Sequence, residues 1–316
     1  VSFWTLDRVR AALREEGTGH PAGGAAVAGV ATDTRALEPG HLFVALRGER
    51  FDAHDFLADA VRRGAGALVV EDPRPAARAG VPVYVVRDTV AALGALGRYR
   101  RRAWGRPVVA VAGSNGKTST RELIRAALAS RFHVHASAGN FNNQVGVPLT
   151  LLAIPDDADM AVVEIGTNHP GEVGALRAIV EPDIAVVTSI GEEHLEGLGS
   201  LEGVLREEAS VFDGVSLGVA PAAQPEVGRA ARSRAAQVVE AGLDAGDLRP
   251  DAWGLSPETR GWFTLGATRI EVPLLGVHNL RNALLAAAVA RACGIGAEDM
   301  ARGMAALQAI PMRSQL

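Results

Sequence analysis

The sequence predicts a two-domain α/β protein. An N-terminal α/β domain spans 1–105, and a second domain over 106–316 is built on a phosphate loop, a mostly parallel sheet and a small β appendage. Three observations carry this. Apolar runs alternate with Ala-rich helical stretches, and unbroken apolar runs read as strands covered on both faces. The contiguous segments PVVAVAG, SNGKTS and TRELIRAALAS read as strand, glycine turn and helix, the opening unit of a parallel sheet. The pattern breaks at Trp104-Gly105-Arg106-Pro107, which sets the boundary.

In the first domain HLFVALRG, ALVVED and VPVYVV are β-like, and 55–64 and 88–103 are helical. In the second, DMAVVEIG and PDIAVVTSI add buried strands separated by helical segments. Residues 213–275 have a weaker pattern, rich in Ala and Gly with pieces such as WFTL and TRIEVPLL, and are read as the β appendage. Helices over 279–293 and near 297–308 precede the final PMRSQL.

Composition narrows the function. The 316 residues are 48% hydrophobic and 22% charged with net charge −4, which fits a folded globular chain rather than a disordered or repetitive one. No run approaches the roughly 18 apolar residues of a membrane span, and the N-terminus carries acids where a signal peptide needs an apolar stretch. A cytosolic protein without membrane contact is therefore expected. Balanced charge and 4% aromatics argue against nucleic acid as a partner. Cys293, the one cysteine, excludes an internal disulfide and a cysteine zinc cluster, and its helical context reads as a small buried hydrophobe. Of 32 basic residues, 31 are arginine and only Lys117 is lysine. A lysine retained alone occupies a position that arginine does not fill.

That lysine lies in the sequence Gly113-Ser114-Asn115-Gly116-Lys117-Thr118-Ser119, between a buried strand and a helix. Glycines let backbone amides turn onto phosphate oxygens, and the helix N-terminus adds positive potential. Lys117 is then placed to contact the β and γ phosphates of ATP, and the Thr118 hydroxyl to bind Mg2+. The eight-residue form of the motif is incomplete, because its first glycine falls at Val111. An ordinary strand-to-helix turn is the competing reading, and the strand before, the helix after and the solitary lysine argue against it.

Other candidate groups fall at strand ends. Glu164 closes MAVVEIG, and His194 follows DIAVVTSI, so two parallel strands deliver a carboxylate and an imidazole to the edge where open α/β sheets bind ligands. Glu207 and Glu208 lie on the next helix. Together with Thr118 these groups could hold one or two Mg2+ ions. Taken singly, an acid at a strand end is a cap or surface charge and a lone histidine is structural; convergence beside the phosphate loop favours the metal reading. In the loop AGNFNNQVGVP, Asn140, Asn142 and Asn143 either hold a peptide or phosphate or build the turn. Asn279 and Asn282 share a helix face that suits a purine, with N-cap duty for Asn279 as the alternative.

In this order the segments resemble the Mur ligase family, ATP-dependent amide ligases of peptidoglycan precursor synthesis. The resemblance covers nearly the whole chain. It rests on TDTRALEPGHLFVALRGERFDAHDF in the first domain, and on GSNGKTST, SAGNFNNQVGVPLTLL, VVEIGTNHPGEV, SIGEEHLEGLGSLEGV and GVHNLRNALLAA in the second. The string His194-Leu195-Glu196-Gly197 looks like the member that joins D-alanyl-D-alanine to a UDP-N-acetylmuramoyl-tripeptide. The resemblance implies that residues 1–105 bind the UDP end of that substrate, with Thr34 and Arg35 near the uridine diphosphate. Lys117, Glu164 and His194 would be catalytic, and Thr118, Glu164 and His194 would hold Mg2+. Asn282, with Asn279 or His278, would take the adenine, and Arg313 would lie near the ribose or phosphates. Asn140, Asn143, Thr167 and Asn168 would border the tripeptide. A cytoplasmic monomer active in cell-wall biogenesis and division is expected.

Three departures qualify this. Relatives carry a carbamylated lysine where this chain has Glu208, and with Lys117 committed to phosphate the expectation is that the Glu208 carboxylate ligates the second metal, directly or through water. The segment SLGVAPAAQPEV lacks the Asn and Asp that relatives tend to have there. The family's C-terminal Rossmann-like domain has no counterpart in the 316 residues. A piece of a full-length ligase is the expectation. A non-catalytic ATP and UDP-sugar binding module is the alternative, and a nucleotide hydrolase driving motion leaves 1–105 unexplained.

Overall fold

A computed structural model of the chain describes residues 3–17, 21–48, 51–192 and 195–307, the side chains of 195 and 196 excepted. It divides into two compact units, Val1–Ala103 and Trp104–Leu316. Among the described residues, no helix is long and apolar enough to cross a membrane.

In the first unit, β1 (Trp4–Thr5) leads into α1 (Leu6–Ala12) and pairs antiparallel with β2 (Ala26–Val27). Four short strands, β3 (Val30–Ala31), β4 (Leu42–Val44), β5 (Ala67–Val70) and β6 (Val83–Val85), then form a parallel sheet in sequential order. Each crosses over through a turn or helix, among them α2 (Leu57–Arg62). α3 (Thr89–Trp104) follows, after Glu71 accepts from the Thr89 amide and hydroxyl at 3.0 Å each. Buried Phe43, Leu57, Leu68 and Val70 form the core between sheet and helix.

The second unit centres on six parallel strands: β7 (Val108–Ala112), β8 (Val134–Ala136), β9 (Met160–Glu164), β10 (Ile184–Val187), β11 (Leu217–Pro221) and β12 (Gln237–Ala241). Their order across the sheet is β12-β11-β10-β7-β9-β8. Alternation of side chains along a strand divides the core in two. Val109, Val111, Val162, Val186 and Val219 face one layer with α4 (Lys117–Leu128). Val108, Ala110, Ala112, Val163 and Val187 face the other, with α5 (Gly146–Leu152), α6 (Glu172–Val180) and Val204 of a later helix. Burial on both faces is why β7, β10 and β11 carry no polar side chain along their length.

The helix before β11 is broken into α7 (Leu195–Leu198) and α8 (Leu201–Glu208), the second capped by Ser200, which accepts from the Gly203 amide at 3.2 Å. Residues 213–241 do not belong to an appendage, contrary to the reading of the sequence. β11, α9 (Pro225–Arg232) and β12 extend the main sheet, and only β13 (Ala252–Leu255), β14 (Arg260–Leu265) and β15 (Thr268–Leu275) form a separate antiparallel sheet. LGVAP carries glycine and proline and has weak strand propensity, but it is buried at all five positions, and burial decides. α10 (Val277–Ala292) is Ala-rich and buried on nearly every side, covered by α4 and by Phe263, Ile270 and Leu274 of the small sheet. α11 (Ala297–Ala305) is the last described helix. Cys293 ends α10 half-buried, and burial pushes its thiol upward, as suits an unreactive side chain.

The chain runs from β7 to β8 and β9 on one side of the sheet, then returns to start β10, β11 and β12 on the other. The switch point lies between β7 and β10, where open parallel sheets bind ligands beyond the strands' carboxyl ends.

Candidate functional site

The glycine loop occupies that switch point. Gly113 and Gly116 have φ of +119° and +86°, a region that L side chains avoid. Space also demands glycine at both. A Cβ on Gly113 would collide with the Thr188 hydroxyl, and one on Gly116 would lie 2.8 Å from Asn282 Nδ2. α4 begins directly after Gly116, and its first interior bond is Thr120 N–H to Gly116 O at 2.8 Å. The amides of Lys117, Thr118 and Ser119 therefore sit in a first turn that offers them no intrahelical acceptor. Lys117 Nζ folds over the loop, donating to the carbonyls of Gly113 and, at 2.9 Å, Ser114. Below the loop, Glu208 at the end of α8 is 2% exposed and accepts from Gly113 N–H at 2.7 Å.

Glu164, the last residue of β9, lies beside this loop and is 2% exposed. A carboxylate buried that deeply needs compensation. Oε2 accepts from the Thr118 hydroxyl and from Arg121 Nη1, each at 3.0 Å, and Oε1 accepts from Asn142 Nδ2 at 3.0 Å. Thr118 and Arg121 are three apart on α4 and so share the face that meets β9. Arg121, itself 4% exposed, also donates to Gly139 O at 2.8 Å and to Glu122.

Beyond Lys117 a cavity of about 250 Å3 is lined by Lys117, Asn142, Asn143, Gly166, Thr167, Asn168 and Glu172, among others. Asn143 also builds its turn, because Oδ1 accepts from the amides of Val145 and Gly146 at 3.1 and 2.9 Å. The segment Thr167–Gly171 is held by two carboxylates. Glu172 accepts from the amides of Asn168 and His169 at 2.6 and 3.0 Å, and buried Glu207 from those of Gly171 and Val173 at 2.7 and 2.8 Å. Burial works against the charge on Glu172, but those amide bonds outweigh it and hold the carboxyl below its usual range.

The two asparagines of α10 are buried at 3% and 7% exposure. The helix is capped by Gly276 without a side-chain bond, so Asn279 has no N-cap duty. Its amide donates to Leu275 O at 2.8 Å and its oxygen accepts from Asn282 Nδ2 at 3.2 Å, which sets Asn282 against Gly116. In the first unit, Thr34 begins a short turn capped by Asp33, and exposed Arg35 returns to the Asp33 carboxylate, Nε to both oxygens at 3.0 Å. Hydrogen bonding to Arg35 lowers the Asp33 carboxyl to about 2.

The structure thus brings together Gly113 to Ser119, Glu164, Glu208, Asn279 and Asn282 around the loop, and Asn143, Thr167 and Asn168 around the adjoining cavity. Asn140 is exposed and does not line that cavity. His194 and Arg313 lie outside the described residues. Arg121 and Glu122 read in the sequence as ordinary polar positions of an amphipathic helix, and nothing there marks Arg121 as the partner of Glu164. Asn142 stood in a conspicuous amide cluster, but its partner 22 residues away was not legible. Among the described residues no three His, Cys, Asp or Glu side chains cluster as a metal site. The oxygen pair presented beside the loop is Thr118 and Glu164.

Residues 111–290 match the Mur ligase middle domain, and residues 26–101 match the Mur ligase family catalytic domain. The UDP-N-acetylmuramoyl-tripeptide–D-alanyl-D-alanine ligase of Bacillus subtilis is 36% identical over 297 residues, covering 91% of this chain and 64% of its own length. That of Escherichia coli is 38% identical over 302 residues, with 90% and 64% covered. The chain therefore spans a little under two thirds of these relatives. Among solved structures, MurF from Acinetobacter baumannii superposes with a TM-score of 0.88 at 32% identity, over 98% of this chain and 69% of that one. The MurF ligase of Thermotoga maritima in complex with ADP gives 0.79 at 25% identity, over 90% and 67%. With its glycine loop at the switch point of a parallel sheet, and with both domain matches falling in the order of its two units, the chain belongs to the Mur ligase family.

Proposed function

We propose that the chain is the nucleotide-binding and UDP-sugar-binding portion of an ATP-dependent ligase that joins D-alanyl-D-alanine to a UDP-N-acetylmuramoyl-tripeptide. The observation that carries this is the glycine loop with Lys117 across its mouth, Thr118 bonded to buried Glu164, and a polar cavity beginning at Lys117. The names of the relatives supply the substrates.

In this reading the loop amides and Lys117 bind the ATP phosphates, and Asn282 with Asn279 borders the adenine. Arg313, outside the described residues, is assigned to the ribose or phosphates. The donors beside the loop fit Mg2+, since both are hard oxygens and one is a carboxylate. Thr118 and Glu164 would hold the ion, and His194, also outside the described residues, is assigned the second metal position. Glu208, whose carboxylate accepts from Gly113 N–H, is assigned to the second metal as well, directly or through water. When bound, Mg2+ supplies charge neutralisation at the phosphates.

The tripeptide lies against Asn143, Thr167 and Asn168, with Asn140 at its outer edge, and its carboxylate attacks the γ phosphorus. The bond to the β-phosphate oxygen breaks, giving an acyl phosphate and ADP. Lys117 stabilises the charge that develops. The amine of D-alanyl-D-alanine then attacks the acyl carbon, loses a proton and expels phosphate. Thr34 and Arg35 of the first unit are assigned to the uridine diphosphate.

Titration calorimetry with Mg·ATP and with the UDP-sugar tripeptide tests the binding half. The 316-residue chain is expected to bind both, and Lys117→Met to weaken ATP at least about 100-fold, equivalent to about 2.7 kcal/mol, with UDP-sugar affinity unchanged. Equal ATP affinity in that variant overturns the assignment. Phosphate release on adding D-alanyl-D-alanine, measured in a protein extended to the length of the relatives, tests the ligase half.

A further inference from the structure

The segment SLGVAPAAQPEV offered no site residue to the reading of the sequence, but the structure places one there. Gln224 follows β11 and precedes α9, whose first residue is Pro225. Its Nε2 donates to Ile190 O and its Oε1 accepts from Ile190 N–H, both at 2.8 Å. Ile190 is in the segment that leaves β10, and that segment is the template of the phosphate loop. Ser114 N–H donates to Ser189 O at 2.8 Å, and Gly191 N–H donates to the Ser114 hydroxyl at 2.9 Å. The Thr188 and Ser189 hydroxyls donate to Asn115 O at 2.6 and 3.2 Å. Since β11, β10 and β7 are neighbours in the sheet, the bonds run across three adjacent strand ends, from Gln224 through 188–191 to Ser114 and Asn115.

We infer that Gln224 is a positioning residue for nucleotide binding, holding the backbone of residues 188–191 so that the phosphate loop keeps its shape. The inference rests on the reading of that loop as the phosphate site. A primary amide suits the task because a single planar group offers the donor and the acceptor that one peptide's C=O and N–H require. A carboxylate keeps the acceptor and sets its second oxygen against the Ile190 carbonyl. An apolar side chain leaves both backbone groups unpartnered in a site where Ile190 is only 7% exposed.

The test uses the 316-residue chain with Gln224→Ala, Gln224→Glu and, as a control on the exposed side of α9, Arg229→Ala. Mg·ADP affinity is measured well below the melting temperature, together with amide exchange at Ser114 and Asn115. Both Gln224 variants are expected to lose about tenfold in affinity, equivalent to about 1.4 kcal/mol, and to exchange those two amides faster, with β8 amides unchanged and Arg229→Ala like wild type. A purely structural role would lower the melting temperature and leave the affinity of the folded protein alone. Wild-type affinity in both variants overturns the proposal, as does a loss of affinity that leaves Ser114 and Asn115 exchange untouched. If Gln224→Ala does not fold, Gln224→Glu alone decides. A wild-type chain that does not bind ADP overturns the nucleotide reading instead, and the exchange rates then decide whether Gln224 shapes the loop.

Discussion

Two arginine–carboxylate pairs, one in each unit, show how burial changes the meaning of the same chemistry. Arg35 and Asp33 pair on the surface, their side chains 86% and 42% exposed. Arg121 and Glu164 pair at 3.0 Å with side chains 4% and 2% exposed. In water the first pair gains little and is free to re-form around another anion. The second has left water altogether, so each partner requires the other, and Thr118, Asn142 and Gly139 complete the set of bonds. A residue that exchanges partners belongs at an anion-binding surface. One that cannot exchange belongs where a carboxylate must keep its place.

The contrast can be broken most forcefully at Arg121. Arg121→Met leaves Glu164 charged, buried and short of a donor, and should cost about 3–5 kcal/mol in urea unfolding. Adding Glu164→Gln to that variant should restore part of the loss. If the single variant costs no more than a surface change, Glu164 is not held by this pair. Asn142→Ala removes one neutral donor from the same carboxylate and should cost about 1–2 kcal/mol by the same measurement. Arg35→Ala should leave stability close to that of the wild type, while weakening the UDP-sugar in calorimetry. A stability loss as large as that of Arg121→Met would erase the distinction.

The smallest expected effect is an acid-dependent one. Because the Asp33 carboxyl is lowered to about 2 in the folded chain, its contribution is complete above the unfolded carboxylate range and disappears as pH falls through about 2. Asp33→Asn should remove that dependence. Solvent screening keeps the difference under about 1 kcal/mol, so it is read as a difference between the acid titrations of the two proteins.

Legibility in the sequence followed the range over which each feature is determined. Strand β7, the turn at Gly116 and the helix after it form one contiguous stretch, and their signals are local: an unbroken apolar run, a glycine turn and an amphipathic repeat. Thr118 and Glu164 were legible for a related reason, since each closes or opens an element at the carboxyl edge of the sheet. β11 and β12 were missed because Gly218, Pro221 and scattered alanines depress strand propensity around them, whereas pairing with neighbouring strands holds both in the sheet and burial covers β11. Arg121 was missed because an arginine on a helix signals solvent unless something is known to cover it. Gln224 was missed because its partner is a backbone peptide, and any residue but proline at 190 would offer the same groups.

The amino-acid order alone showed that a glycine turn joins strand to helix at 113–117, that the one lysine of the chain lies in it, and that Glu164 closes an apolar strand. It could do so because strand and helix periodicities and glycine stereochemistry act within about ten residues. Which donors satisfy Glu164, and which backbone peptide Gln224 meets, followed from contacts between distant segments. Those outcomes depend on strand order and on burial, and a hydrogen bond between residues 22 or more positions apart leaves no periodic trace in the chain that makes it.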